Sequence, residues 1–212
     1  GAAREGGITR AFVVAGCALA VMAILPVLRM STAPVDPPEV AGRYPLAPIL
    51  LCGAVVLVAF MSEATVESWS ALHIERTLRG GAAEGALGPA MLGLTMAAGR
   101  FSGQAVAERL PEVTVIWVAA LVSAAGALIA AAAPTPLWAY VGFGVLGLGV
   151  SVIGPMGLAL VGRMVPAHLR TEAISRAAVM GFSGFVIAPV LMGAVRQVFG
   201  LRVAIASVAG LL

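Results

Sequence analysis

Long uncharged stretches, broken by short clusters of arginine and glutamate, set the pattern of this chain. Residues 113–162 contain no Asp, Glu, Lys, Arg or His. Further uncharged runs cover 11–28, 44–62, 85–99 and 177–195. A helix that crosses a bilayer needs about 20 apolar residues, so 113–162 is long enough for two such helices with a break between them. The break falls at the APTP turn, Ala133 to Pro136. The runs are continuous, without the ten-residue alternation of barrel strands, and backbone polar groups in lipid must be satisfied internally. The prediction is an all-α, polytopic transmembrane helical bundle.

Reading along the chain, the predicted segments are 8–28, 46–72, 84–110, 113–132, 137–161 and 177–199, with a seventh beginning near Leu201. The run after Arg202 lasts only to Leu212, about half a span, and the first residue is Gly1. A piece of a longer protein is therefore expected. Between the first two segments lies RMSTAPVDPPEVAGRYP, residues 29–45, with Pro34, Pro37, Pro38 and Pro45. Proline lacks the amide donor and blocks a helix interior, so this stretch reads as an extended, solvated linker and the best domain boundary. The Gly80-Gly81 pair is expected to stop the second segment, and a charged loop is expected over 162–176.

Composition agrees. Hydrophobic residues make up 60% and charged residues 11% of the 212 positions, far from the balance a water-soluble domain needs to cover its surface. Mean hydropathy is +1.03. The basic residues are all arginine and the net charge is +3. They are scattered over loops and helix ends, which fits flanking charges on membrane helices and not a nucleic-acid face. Cys17 and Cys52 each lie in an apolar run and read as packing residues; with two histidines, no metal cluster is expected. Glycine is abundant, and Gly142, Gly144, Gly147, Gly149, Gly154 and Gly157 share one segment. Small residues let helix backbones approach closely in lipid, and helices with internal Gly, Pro155 and Pro189 can also bend.

Ionisable groups inside spans are costly and mark function by default. Glu63 and Glu67 stand four apart on one helix face, with Ser70 one turn further. Such a carboxylate pair, partly dehydrated, resists carrying two charges at once and is suited to taking up and releasing a proton. The bland alternative places both at the outer end of the helix, flanking Trp69 as an interface anchor. Substrate binding without proton coupling is a third reading, and Trp69 is counted with Glu63, Glu67 and Arg100 among the candidate substrate-binding or proton-coupling residues. Arg100 interrupts an apolar run and suits a structural or gating role, or contact with an anionic substrate group; near a helix end it can snorkel. Trp117, Trp138 and His73 read as headgroup residues. Gly181-Phe182-Ser183-Gly184 resembles the surroundings of an intramembrane serine nucleophile, but such a serine needs a neighbouring histidine, and His73 and His168 lie in or beside loops. No H-E-x-x-H, Walker loop or Cys/His spacing occurs. No catalytic residue, metal or cofactor is assigned.

The positive-inside rule is silent, because the two sides would hold six arginines each. The layout itself resembles the major facilitator superfamily of transporters, from the sixth helix into the twelfth. The stretch QAVAERLPEV, Gln104 to Val113, is similar to that family's loop motif G-x-L-A-D-R-x-G. Val106, Ala107, Glu108 and Arg109 fit its core, while Gln104 and Pro111 replace its glycines and Glu112-Val113 stand where basic residues are expected. GRFSG, Gly99 to Gly103, precedes it, and GFSGFVIAPVLMGAV resembles the eleventh helix.

The resemblance implies that 1–28 is the last helix of an N-terminal bundle, 29–45 a cytoplasmic linker, and 46–212 a C-terminal bundle. It further implies a cavity between two halves that rock about it. The substrate would be a small molecule, and the N-terminal half of the same protein would be the partner. The gate would include Gly99, Gly103, Glu108 and Arg109, and the setting would be a bacterial cytoplasmic membrane. Two classes of function follow: a secondary permease or efflux carrier, or a non-transporting sensor or assembly protein on the same scaffold.

Overall fold

A computed structural model describes residues 46–107 and 109–212, with no account of the side chains of 104–108. The expected helix at 8–28, the linker 29–45, Cys17 and Glu108 lie outside the described residues. Six α-helices follow in order: α1 Leu46–Leu72, α2 Ala82–Ala107, α3 Glu112–Ala132, α4 Pro136–Met164, α5 Arg170–Phe199 and α6 Leu201–Leu211. No strand occurs among the described residues.

Four stretches are long and apolar enough to cross a membrane: Leu46–Thr77, Glu112–Ala132, Pro136–Met164 and Ala167–Phe199. The expected span at 84–110 is not among them. Its helix, α2, has 26 residues and is long enough, at about 39 Å, but it carries Glu84, Arg100 and several hydroxyl and glycine positions. The expected charged loop at 162–176 also shrinks. α4 runs on to Met164 and α5 begins at Arg170, leaving a short connection through Ala167–Leu169. Glu172 sits in the first turn of α5, where a negative charge suits the helix end, and pairs with Arg176 one turn on at 2.6 Å.

α4 is the axis of the bundle. Its Phe143, Leu146, Val150 and Ile153 are buried against Leu92 and Met96 of α2, Ala119, Ala127 and Ala130 of α3, and Ile205 and Val208 of α6. Apolar side chains gain little by leaving lipid for one another, so close backbone approach must supply the packing. Glycine permits it here. A β-carbon on Gly142 would lie 2.7 Å from Ala130 Cα, and one on Gly126 would lie 2.8 Å from Leu146 Cα. α5 meets α1 the same way: a β-carbon on Gly184 would lie 2.7 Å from the Leu57 carbonyl oxygen. Hydroxyls inside the bundle bond back to their own helix, as Thr65 does to Met61 O at 2.7 Å and Ser123 to Ala119 O at 2.8 Å. Pro155 and Pro189 lie inside α4 and α5 as expected.

The outer surface is as apolar as the core. Val179, Val186 and Val190 form a stripe along α5, each more than 70% exposed. Water would not tolerate that surface; hydrocarbon does. At the end of the bundle where α3 starts and α4 finishes, Glu112 and Arg163 pair at 2.7 Å. Arg170 Nε donates to Gly162 O at 2.8 Å nearby.

Close packing of α3 on α4 gives a clear expectation. Gly142→Leu should lower the unfolding midpoint of the purified protein in detergent, costing about 1–3 kcal/mol through overpacking. Gly93→Leu, which meets nothing within 4 Å, should leave the midpoint nearly unchanged. Equal effects at the two positions would contradict the packing described.

Candidate functional site

Helical geometry turns α1 by about 100° per residue, so positions 60, 63 and 67 fall within roughly a 60° arc. Leu51, Val55 and Val58 point the opposite way, into an apolar cavity of about 540 Å³ lined also by α3 and α4. Glu63 is half-buried on the first face, and Glu67 is exposed one turn further. Arg100 of α2 is exposed on the neighbouring helix. Glu63 lies within electrostatic reach of both Glu67 and Arg100. The structure therefore brings together three of the residues singled out from sequence. Among the described residues, none of the three takes part in an ion pair.

Ser70 and Trp69 sit elsewhere. Ser70 is wholly buried against α2, where a β-carbon on Gly88 would meet its Oγ at 2.9 Å. The Trp69 ring packs toward α5, with the Arg196 guanidinium 5.1 Å from its centroid. That stacking ties the ends of α1 and α5 by a cation–π contact. Gly99 and Gly103 face α4, against Ser151 and the Leu148 carbonyl and against Val152. Both glycines serve close packing of α2 on α4. Arg109 is exposed at the end of α2.

His73 corrects the sequence reading. Expected among headgroups, it is wholly buried, and its Nε2 donates to Ala130 O at 3.1 Å. Its ring stands edge-on to Phe143 at 6.4 Å. The physical reason is helical phase: His73 follows Ser62, Val66 and Ser70 on the buried face of α1, at steps of four, four and three residues. A π turn over His73–Thr77, closed by Leu78 N–H to His73 O at 3.2 Å, then ends the helix. Arg202 of α6 donates to the adjacent Ala131 O at 2.8 Å. Two side chains thus bond to carbonyls in the last turn of α3, where Ala130 O also accepts from Ala133 N–H at 3.3 Å, and the arginine suits the negative end of that helix. No local spacing signals this, because Ala130 and Ala131 lie 57 and 71 residues away.

Sequence reasoning also missed an aromatic group beside the carboxylates. Phe60 of α1 stands 5.0 Å from Phe182 and 5.3 Å from Phe185 of α5. Phe60 is one turn from Glu63, so a half-buried aromatic surface adjoins the charged one.

Residues 51–212 match the family profile of the Major Facilitator Superfamily. The chain belongs to that superfamily. An uncharacterized MFS-type transporter of Yersinia pestis is 30% identical over 188 residues, covering 87% of this chain and 47% of the relative. Membrane protein MosC of Rhizobium meliloti is 26% identical over 153 residues, covering 72% of this chain and 37% of the relative. The chain thus spans about half the length, or less, of the curated relatives it matches.

Membership in the major facilitator superfamily agrees with the helical bundle, and the chain is a multi-pass membrane protein. In that superfamily member, His73 is a structural residue of the helix ends. Replacing it by Ala should cost about 1–3 kcal/mol, from the lost buried hydrogen bond and the cavity left by the ring. His73→Gln, whose amide can donate to the same carbonyl, should recover part of that loss. Thermal unfolding in detergent checks both; an alanine variant as stable as the parent would contradict the assignment.

Proposed function

We propose that this chain forms one wall of a secondary carrier that moves a small solute by alternating access, coupled to proton movement through Glu63. The grouping of Glu63, Glu67 and Arg100 carries the reading. Two carboxylates and one guanidinium approach each other on a bundle of apolar helices, where unpaired charge is expensive. A proton bound by the carboxylate pair removes one negative charge and leaves the other balanced by Arg100. Release of that proton restores the excess. The charge state of the wall then changes with proton occupancy, which is what a coupled carrier needs to bias one orientation over another.

The second wall belongs to an N-terminal half of the same protein, and the setting is a bacterial cytoplasmic membrane. Family membership and the bacterial relatives support both points. A carrier also suits the serine in Gly181-Phe182-Ser183-Gly184 better than a hydrolase does. Ser183 Oγ donates to Met180 O of its own helix at 2.6 Å, and His73 is committed to Ala130.

The test uses the full-length protein in proteoliposomes containing a pH-sensitive dye. Any solute it carries should accelerate proton movement. Glu63→Gln should abolish pH-driven accumulation while leaving solute exchange, which needs no net proton transfer. Accumulation that continues to follow the pH gradient in the Glu63→Gln variant would reject Glu63 as the coupling group.

A further inference from the structure

We infer that Ser70 and His73 of α1 hold an internal water molecule at the end of the bundle where α3 finishes. The inference does not rest on the carrier reading. It comes from two polar atoms that the fold buries. Ser70 and His73 are both wholly buried, and neither Ser70 Oγ nor His73 Nδ1 bonds to any group among the described residues.

Ser70 departs from the habit of this bundle. The other buried hydroxyls among the described residues bond back to a carbonyl of their own helix. Ser62 donates to Val58 O, Thr65 to Met61 O, Ser123 to Ala119 O and Ser151 to Leu148 O, each at 2.7 or 2.8 Å. A helix always offers a hydroxyl that local outlet. Ser70 Oγ does not take it and lies against Gly88 of α2. A buried hydroxyl without a protein partner forfeits its hydrogen bonds unless a water stays with it.

His73 supplies the complement. A carbonyl oxygen only accepts, so Nε2, at 3.1 Å from Ala130 O, carries the ring hydrogen. On a ring with one hydrogen, Nδ1 is then an acceptor. Ser70 and His73 are three residues apart, which places their β-carbons about 5–6 Å from each other on neighbouring turns. The two polar atoms do not bond directly. One water making two hydrogen bonds spans about 5.5 Å and suits that gap. It donates to Nδ1, and the Ser70 hydroxyl can either donate to it or accept from it. A cation suits the place less well, because the charge of Arg202 reaches His73 from α6. Trp69 Nε1 is also buried without a partner on this turn, but its ring turns toward α5, so the site is assigned to Ser70 and His73 alone.

X-ray radiolysis of the full-length protein in detergent, read by mass spectrometry, tests for the water. Radiolysis converts a bound water to a hydroxyl radical, which oxidises the side chains touching it whether or not bulk solvent reaches them. His73 should be oxidised. Met192, equally buried and intrinsically more reactive, should not be. Ser70→Ala removes one of the two partners of the water, so oxidation of His73 should fall to the level of Met192.

Oxidation of His73 no greater than that of Met192 in the parent would overturn the inference. So would equal oxidation of His73 in the parent and in Ser70→Ala. Should the variant fail to fold, a density map of the parent that resolves ordered water decides the matter. A peak within hydrogen-bond distance of both Ser70 Oγ and His73 Nδ1 supports the site. No peak there, or a direct bond between the two side chains, overturns it.

Discussion

Close contact between helix backbones holds this bundle together. In hydrocarbon the helices satisfy their own amides and carbonyls, and apolar side chains gain little by leaving lipid for one another. Cohesion must then come from surfaces that fit at short range. α4 supplies most of them: its Gly142, facing Gly126 and Ala130 of α3, brings it against α3, and its Gly147 brings it to the Leu92 carbonyl of α2. α1 and α2 lie side by side, with Gly88 of α2 close against Ser70 of α1, and Glu63 and Arg100 act on each other without a direct ion pair.

The ends of the helices are handled differently from the middle. Where α3 finishes, its last carbonyls are met by His73 and Arg202, one from the π turn of α1 and one from α6. Where α3 begins, Glu112 pairs with Arg163 of α4. Arg163 is largely exposed, so this pair contributes at most about 1 kcal/mol and acts mainly to set register. Tyr140 adds a third tie, donating to Glu84 O at 2.9 Å across to α2. Polar side chains therefore join the helices near both ends, and glycine joins them in between.

Much of this was legible in the residues. The uncharged runs located α1, α3, α4 and α5, and the APTP turn marked the break between α3 and α4 correctly. The four-residue spacing of Glu63 and Glu67 placed them on one face, and the position of Arg100 within an apolar run singled it out. What sequence could not supply were relations across large separations. His73 looks like a headgroup residue because its neighbours are polar, yet it lies on the buried face of α1 and meets a partner 57 residues away. Phe60 and Phe182 are ordinary apolar letters until two helices bring their rings to 5.0 Å. Trp69, grouped with the carboxylates by proximity in sequence, turns instead to Arg196. The polar content of α2 weakened its membrane signal, although the helix itself formed over the expected stretch.

If the chain forms one wall of a carrier as proposed, the Glu63–Glu67 face of α1 borders an aqueous cavity, whereas the exposed apolar side chains of α3 border lipid. Thiol labelling measures this directly. In a full-length protein otherwise free of cysteine, Glu67→Cys and Leu121→Cys would be treated with a membrane-impermeant, charged thiol reagent applied in turn to each side of the membrane. The account predicts rapid modification at position 67 from at least one side and none at position 121. Silence at position 67 together with modification at position 121 would contradict it.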